Sequence, residues 1–327
     1  MNADVAAAAP PALGHDDRIL LRFLATPGDT ATGGRSVAAG SVMEWIDKAG
    51  YACAVGWCGS YCVTAYVGDV RFTTPVRVGH LVEATGRLLH TGRSSMQVLV
   101  TVRCGDPADR VLSSATSCLM VFVAVDGDGK AVPVPTWQPV DELDAQQQAD
   151  VVQRMKVRAQ IEDAMATQSY TEAGTAPQIC LRFLAAPTDV NWGGKVHGGK
   201  VMRWIDEAAH VLATQWLGTG SNIAVYAGGF RFYRPLRIGH LVEVEGRLLH
   251  TGPKSLHISV HVRSGDPAID ELALTTHCLI VFVRLDEGRA VPARQWSPVS
   301  EEDQALDAHA RHLIELRSTL PPERPGS

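Results

Sequence analysis

Two aspartates, Asp47 and Asp206, stand in the same Trp-Ile-Asp context, and an asparagine, Asn191, precedes only the second of them. The stretch LLRFLATPGDTATGGRSVAAGSVMEWIDKAG from Leu20 recurs as CLRFLAAPTDVNWGGKVHGGKVMRWIDEAAH from Cys180, and Ala31 answers Asn191. A carboxylate can act as a general base toward water or attack a carbonyl itself, and a carboxamide can donate to that carbonyl or orient the water. An aspartate inside a mostly apolar helix costs energy unless it is partnered, so matched copies mark function or a hydrogen-bonded relic of it. Carrying the carboxylate twice and the carboxamide once points to one working site and one lapsed site.

The elements that must position these groups repeat as well, with a period of roughly 160 residues. In each copy an LRFLA strand and a Gly-rich loop lead into an apolar-periodic stretch, SVMEWIDKAGYACAVGW or KVMRWIDEAAHVLATQW. Val42, Trp45, Ile46, Ala49 and Cys53 recur every three to four residues, which predicts a helix with one apolar stripe. The pairs Ala39-Gly40 and Gly198-Gly199 let the chain turn tightly into that helix and leave its first amides open. Alternating, β-branched segments follow, from CVTAYVGDVRF to ATSCLMVFVAV and from IAVYAGGFRF to TTHCLIVFVRL. One strand, one long helix and four more strands give an α+β class, with an antiparallel sheet wrapped around the helix. The expected organisation is a disordered leader (1–17), a first domain (18–138), a helical linker (139–175), a second domain (176–297) and a C-terminal helix with tail (298–327).

With 46% hydrophobic and 20% charged residues and a net charge of −5, the chain has ordinary globular composition and no general attraction to nucleic acid or acidic lipid. No apolar run is long enough to span a membrane. The N-terminus lacks the basic residues of a secretory signal, so the expected location is the cytoplasm. Seven cysteines fit buried thiols better than a disulfide framework; Cys53, Cys58 and Cys62 cluster without a paired CxxC or a suitably spaced His, so no metal is expected. Walker, dinucleotide and GxSxG motifs are absent.

The residues NWGGKVHGGKVMRWIDEA, followed by FRFYRPLRIGHLVEVEGRLLHTGPKS, resemble the hot-dog-fold acyl-CoA thioesterases, in the branch that carries two hot-dog domains in one chain. The resemblance runs from about Arg18 to Trp137 and again from about Pro177 to Trp296. It implies an acyl-CoA hydrolase without a cofactor, two domains forming an internal pseudo-dimer, and further assembly as a homo-oligomer, a trimer with six hot-dog domains. It also implies that Asn191 faces Asp47 across the domain boundary, leaving Ala31 with Asp206.

Backbone amides at a helix start suit the oxyanion of a thioester's tetrahedral intermediate. Gly40 and Ala39, which open the helix carrying Asp47, are the expected donors, and Gly199 is their counterpart in the lapsed site. His197, answered by Ala38, reads as a loop or interface residue beside that lapsed site. The turns at Arg93-Ser94 and Lys254-Ser255, with Arg71, Arg231 and Arg234, are the expected ligands of coenzyme A. Trp45, Met43, Trp57 and Trp204 are expected to close the acyl tunnel. Two other functions fit the fold: a non-catalytic acyl-CoA-binding protein, which the retained Asp47 and Asn191 argue against, and an enoyl-thioester hydratase or dehydratase, which calls for a carboxylate–histidine pair.

Overall fold

The computed structural model describes residues 16–31, 34–168, 170–171, 173–269 and 271–320. The expected leader therefore lies, up to residue 15, outside the described residues, as does the tail from 321. The first half contains β1 (Arg18–Leu24), α1 (Ala39–Cys58), β2 (Cys62–Val67), β3 (Val70–Arg71), β4 (Leu81–Thr91), β5 (Ser95–Gly105) and β6 (Ser113–Ala124). After α2 (Glu142–Ala166) the pattern returns as β7 (Gln178–Leu184), α3 (Gly198–Leu217), β8 (Ser221–Phe232), β9 (Leu241–Thr251), β10 (Leu256–Gly265), β11 (Ala273–Asp286) and β12 (Arg289–Ala290). The last described element is α4 (Glu301–Ser318).

Among the described residues all strand pairs are antiparallel, and the strands form one sheet in the order β1-β4-β5-β6-β2-β8-β11-β10-β9-β7, with the short β3 paired to β8 and β12 to β11. The halves meet where β2 pairs with β8, Tyr66 opposite Arg231 and Val67 opposite Phe230. Alternation sends Val98, Val100 and Val102 of β5, and Ile258, Val260 and Val262 of β10, into the face that α1 and α3 cover.

The predicted stripe of α1 is buried, with Ile46 and Ala49 at 0% exposure. Burial extends around the helix from Gly40 to Asp47, because α3 covers the side that the sheet does not. Glycine makes this approach possible. A Cβ on Gly40 would fall 2.8 Å from the Cα of Arg203, and one on Gly199 would fall 2.8 Å from the Cα of Glu44. Each helix therefore begins against the flank of the other, which brings each amino terminus to the other helix's aspartate.

The two polar helices do more than link. Val151 of α2 packs with Leu89 and Leu99, and Leu306 and Ala310 of α4 pack with Leu249 and Leu279, on the opposite face of the sheet. Ile161 and Met165 of α2 meet Leu313 of α4. Both helices are capped by side chains, Asp141 accepting from the Asp144 amide and Ser300 from the Asp303 amide. Among the described residues no helix is long and apolar enough to cross a membrane.

Candidate active site

Asp47 projects from α1 into the other half of the chain and is 1% exposed. Its Oδ1 accepts from the Thr64 hydroxyl at 2.7 Å, and its Oδ2 accepts from the Gly199 amide at 2.7 Å and lies 2.8 Å from Nδ1 of His197. His197 is the N-cap of α3, so the carboxylate sits at the positive end of that helix. Nδ1 also lies 3.1 Å from the Gly199 amide. A bare Nδ1 lone pair would repel the carboxylate, so Nδ1 carries a proton and donates it to Asp47, and the Gly199 N–H goes to the same oxygen. The other ring nitrogen, Nε2, is then the one free to exchange protons with solvent or substrate.

Burial pushes the Asp47 carboxyl up, but the charge of His197 and the hydrogen bonds from His197, Thr64 and Gly199 outweigh it and hold the group below its ordinary range. Burial pushes His197 down, and Asp47 more than reverses this. The pair favours carboxylate and imidazolium.

Asn191 stands in the loop before α3, where its Oδ1 accepts from the amides of Gly193 at 2.9 Å and Lys195 at 3.1 Å. The oxygen fixes the turn, and the NH2 end is what the side chain can offer a ligand. Beneath the loop, Tyr61 packs so closely that a Cβ on Gly193 would fall 2.2 Å from its ring, and Tyr51 stacks on Trp192 at 5.6 Å. These groups border a cavity of about 380 Å³ that Asp47, Thr64, Asn191, His197 and Gly198 line together, with Lys195, Arg234 and Arg237 on its wall. Such a cleft can shield part of a bound group from water while a carboxylate, an imidazole and helix-start amides converge on it.

The counterpart is a stripped version. Asp206 is 4% exposed, and its Oδ2 accepts from the Gly40 amide at 2.8 Å. Ala31 stands where Asn191 would be and Ala38 where His197 would be; aligning Arg71-Phe72 with Arg231-Phe232 sets Ala224 against Thr64. Burial outweighs the Gly40 amide and the charge of Arg203 and, with Glu207 adding to it, pushes the Asp206 carboxyl up to about 6.

The sequence model of the Thioesterase superfamily matches residues 35–110 and 193–270, one segment in each half. Over 120 residues the chain is 32% identical to an uncharacterized acyl-CoA thioester hydrolase of Haemophilus influenzae, covering 36% of this chain and 77% of that protein. The chain belongs to the thioesterase superfamily. It is also 25% identical over 297 residues to the human cytosolic acyl coenzyme A thioester hydrolase, covering 85% of this chain and 77% of that one. In fold it is similar to a putative oleoyl thioesterase from Lactobacillus plantarum, with a TM-score of 0.56 at 12% identity, over 83% of this chain and 97% of that chain. The architecture is the hot-dog thioesterase fold with two domains, an antiparallel sheet with helices.

In this thioesterase chain, Asp47 and Asn191 line one cavity although they belong to different halves. The expectation for Gly40 and Ala39 is corrected: they open α1, but the Gly40 amide goes to Asp206, because each helix start faces the aspartate of the other helix. Gly199, expected in the lapsed site, serves Asp47. His197, expected to be a loop or interface residue beside the lapsed site, lies where the halves meet but at the other aspartate, as the direct partner of Asp47. Of the expected coenzyme A ligands, Arg234 alone lines the cavity. Arg231 pairs with Glu162 at 3.0 Å, Ser255 bonds His257 at 3.1 Å, Arg71 pairs in β3, and Arg93, Ser94 and Lys254 occupy hairpin turns elsewhere.

The expected tunnel residues also lie elsewhere: Trp45 stacks on Phe23, Trp204 packs edge-on to Phe183, the Trp57 indole donates to the Pro135 carbonyl at 2.9 Å, and Met43 is in the core. Among the described residues no group of three His, Cys, Asp or Glu side chains could hold a metal ion. The roles of Thr64, His197, Lys195 and Arg237 escaped sequence reasoning, although His197 itself was considered there. The first two were legible as polar-to-alanine mismatches between the copies, like Asn191 against Ala31.

Proposed function

We propose that the chain hydrolyses acyl-CoA thioesters to a free fatty acid and coenzyme A at one composite site per chain. The observation that carries this reading is the gathering of Asp47 with Thr64, Asn191, His197 and the start of α3, against alanine at all three side-chain positions around Asp206. Asp47, kept ionised, acts on water as general base or on the thioester carbonyl as nucleophile. The amide of Gly198 and the NH2 of Asn191 suit the oxyanion, and donors of this kind contribute roughly 3–4 kcal/mol each. His197 supplies a proton to the leaving thiolate. Arg234, expected from the sequence, takes the phosphates together with Lys195 and Arg237.

The two halves act as an internal pseudo-dimer whose long central helices exchange their amino termini, with domains at 18–138 and 176–297. No cofactor beyond coenzyme A as part of substrate and product is invoked, the location is cytoplasmic, and chains assemble as a homo-oligomer, a trimer in the first instance. One observation supports a second reading: Asp47 and His197 form the carboxylate–imidazole pair that an enoyl-thioester hydratase would use. The test is thiol release from a panel of acyl-CoAs, beside loss of the conjugated double bond from an enoyl-CoA. Hydrolysis predicts thiol release on saturated substrates; enoyl consumption without thiol release would establish the hydratase, and binding without either would establish a silent acyl-CoA-binding protein.

A further inference from the structure

The joint between the carboxyl end of α1 and the start of β2 is built on two thiols in contact. The sulfurs of Cys58 and Cys62 lie 3.3 Å apart, and each is 3.4 Å from the carbonyl of Ser60 between them. Cys58 is half-buried on the last turn of the helix, and Cys62, 1% exposed, lines the cavity. A disulfide needs sulfurs at about 2.05 Å, so bonding requires an approach of roughly 1.3 Å within a segment that already turns the chain back at Gly59, φ 64°.

The other half solves the same joint differently. Leu217 stands for Cys58 and Asn222 for Cys62, and Asn222 pins the turn by donating to the Gly218 carbonyl at 2.9 Å. The thiol pair is thus peculiar to the first half, whose β2 supplies Cys62, Val63 and Thr64 to the cavity. Between the two cysteines stands Tyr61, whose ring supports Gly193 in the Asn191 loop and lies edge-on to Tyr51, which in turn stacks on Trp192.

We propose that Cys58 and Cys62 form a reversible intramolecular disulfide by exchange with a low-molecular-weight disulfide, and that closing it displaces Tyr61 and the Asn191 loop. The hydrogen bond to Cys58 and burial push the Cys62 thiol up, and Cys58, the less buried of the two, is the sulfur that solvent reaches. The Cys58 thiolate attacks one sulfur of the small disulfide R–S–S–R; that bond breaks, and RS⁻ leaves and takes up the proton Cys58 lost. Cys62, losing its proton to solvent, attacks the Cys58 sulfur of the mixed disulfide, and a second RS⁻ leaves and is protonated. The protein has lost two hydrogens and the small disulfide has become two thiols. The effect on turnover rests on the composite site proposed above; formation of the disulfide does not.

The test treats the full-length protein with oxidised glutathione and reads intact mass, the Cys58–Cys62 cross-linked peptide and thioester hydrolysis. The expected result is loss of two hydrogen masses, a cross-link that dithiothreitol reverses, and turnover reduced about tenfold, the scale expected when a catalytic group shifts by a fraction of an ångström. Cys58→Ser, altered at a half-buried position outside the cavity, is expected to keep its activity under the same treatment. Glutathione adducts on the exposed Cys180 without the Cys58–Cys62 cross-link would overturn the proposal. A cross-link that leaves the turnover of an active parent unchanged would overturn the gating; a parent inactive on every thioester refutes the hydrolase reading and leaves the mass result to decide the disulfide.

Discussion

At the scale of single residues, Asp47 and Asp206 are a matched experiment within one chain. Both are buried and both accept a helix-start amide, yet one carboxyl is held below its ordinary range and the other is pushed up to about 6. The difference lies in partners: His197 and Thr64 surround the first, and Ala38 and Ala224 the second. His197→Ala should therefore let burial prevail at Asp47, moving the acid limb of kcat/KM upward by about one pH unit or more. An acid limb that stays in place would deny His197 that role. For Asp206 the folded carboxyl titrates above the unfolded one, so its contribution is most favourable at low pH and is lost as pH rises through about 6. At pH 8 its buried charge opposes folding, and Asp206→Asn, which keeps an acceptor for Gly40, should stabilise the protein by about 1–3 kcal/mol in urea unfolding. The gain should vanish at pH 4.

At the scale of elements, the face of the sheet under α4 is lined with histidine. His257 and His261 of β10 and His277 of β11 are buried, with Tyr170 stacked on His261 at 4.2 Å. Burial is the main cause of their depression to about 3, 3 and 4, and the neighbouring His250, Arg247, Arg263, Arg231, Arg317 and His309 add to it. These rings are neutral in the folded state, so they are silent above pH 6.5 and oppose folding as the unfolded chain takes up protons below it. At pH 5 each is expected to cost about 2 kcal/mol, read as a fall in Tm and faster hydrogen exchange in α4. Replacing His257 and His277 with Gln should flatten that pH dependence.

The helices and strands themselves were legible, because α1 and α3 carry the helical period and the strands alternate. The outer layer was not: α2 and α4 bury only a few apolar positions each, so their polar composition hid that they cover a sheet face. Nor was the helix start at each aspartate, since the local sequence puts Gly40 near Asp47 while the tertiary crossing of two glycine-backed helix ends gives it to Asp206.

At the scale of the whole molecule, one sheet carries two copies of a site frame, and each frame takes its aspartate from one half and its helix start from the other. Duplication allows one frame to lose its polar groups while its aspartate still holds the opposite helix, which is why Asp206 persists as a structural acceptor beside three alanines. Sequence comparison of the copies exposed the mismatch at Asn191, and the family resemblance implied its pairing with Asp47; the copies alone leave that open, because which aspartate Asn191 serves is a property of how the halves cross. The central claim is therefore one productive site, and the direct measurement is thiol release from an acyl-CoA by Asp47→Ala, Asn191→Ala and Asp206→Ala beside the parent. A single composite site predicts that the first two lose turnover by about 10²-fold or more while Asp206→Ala stays within a few-fold. Equal loss from Asp206→Ala, in a protein whose thermal unfolding matches the parent, would contradict it.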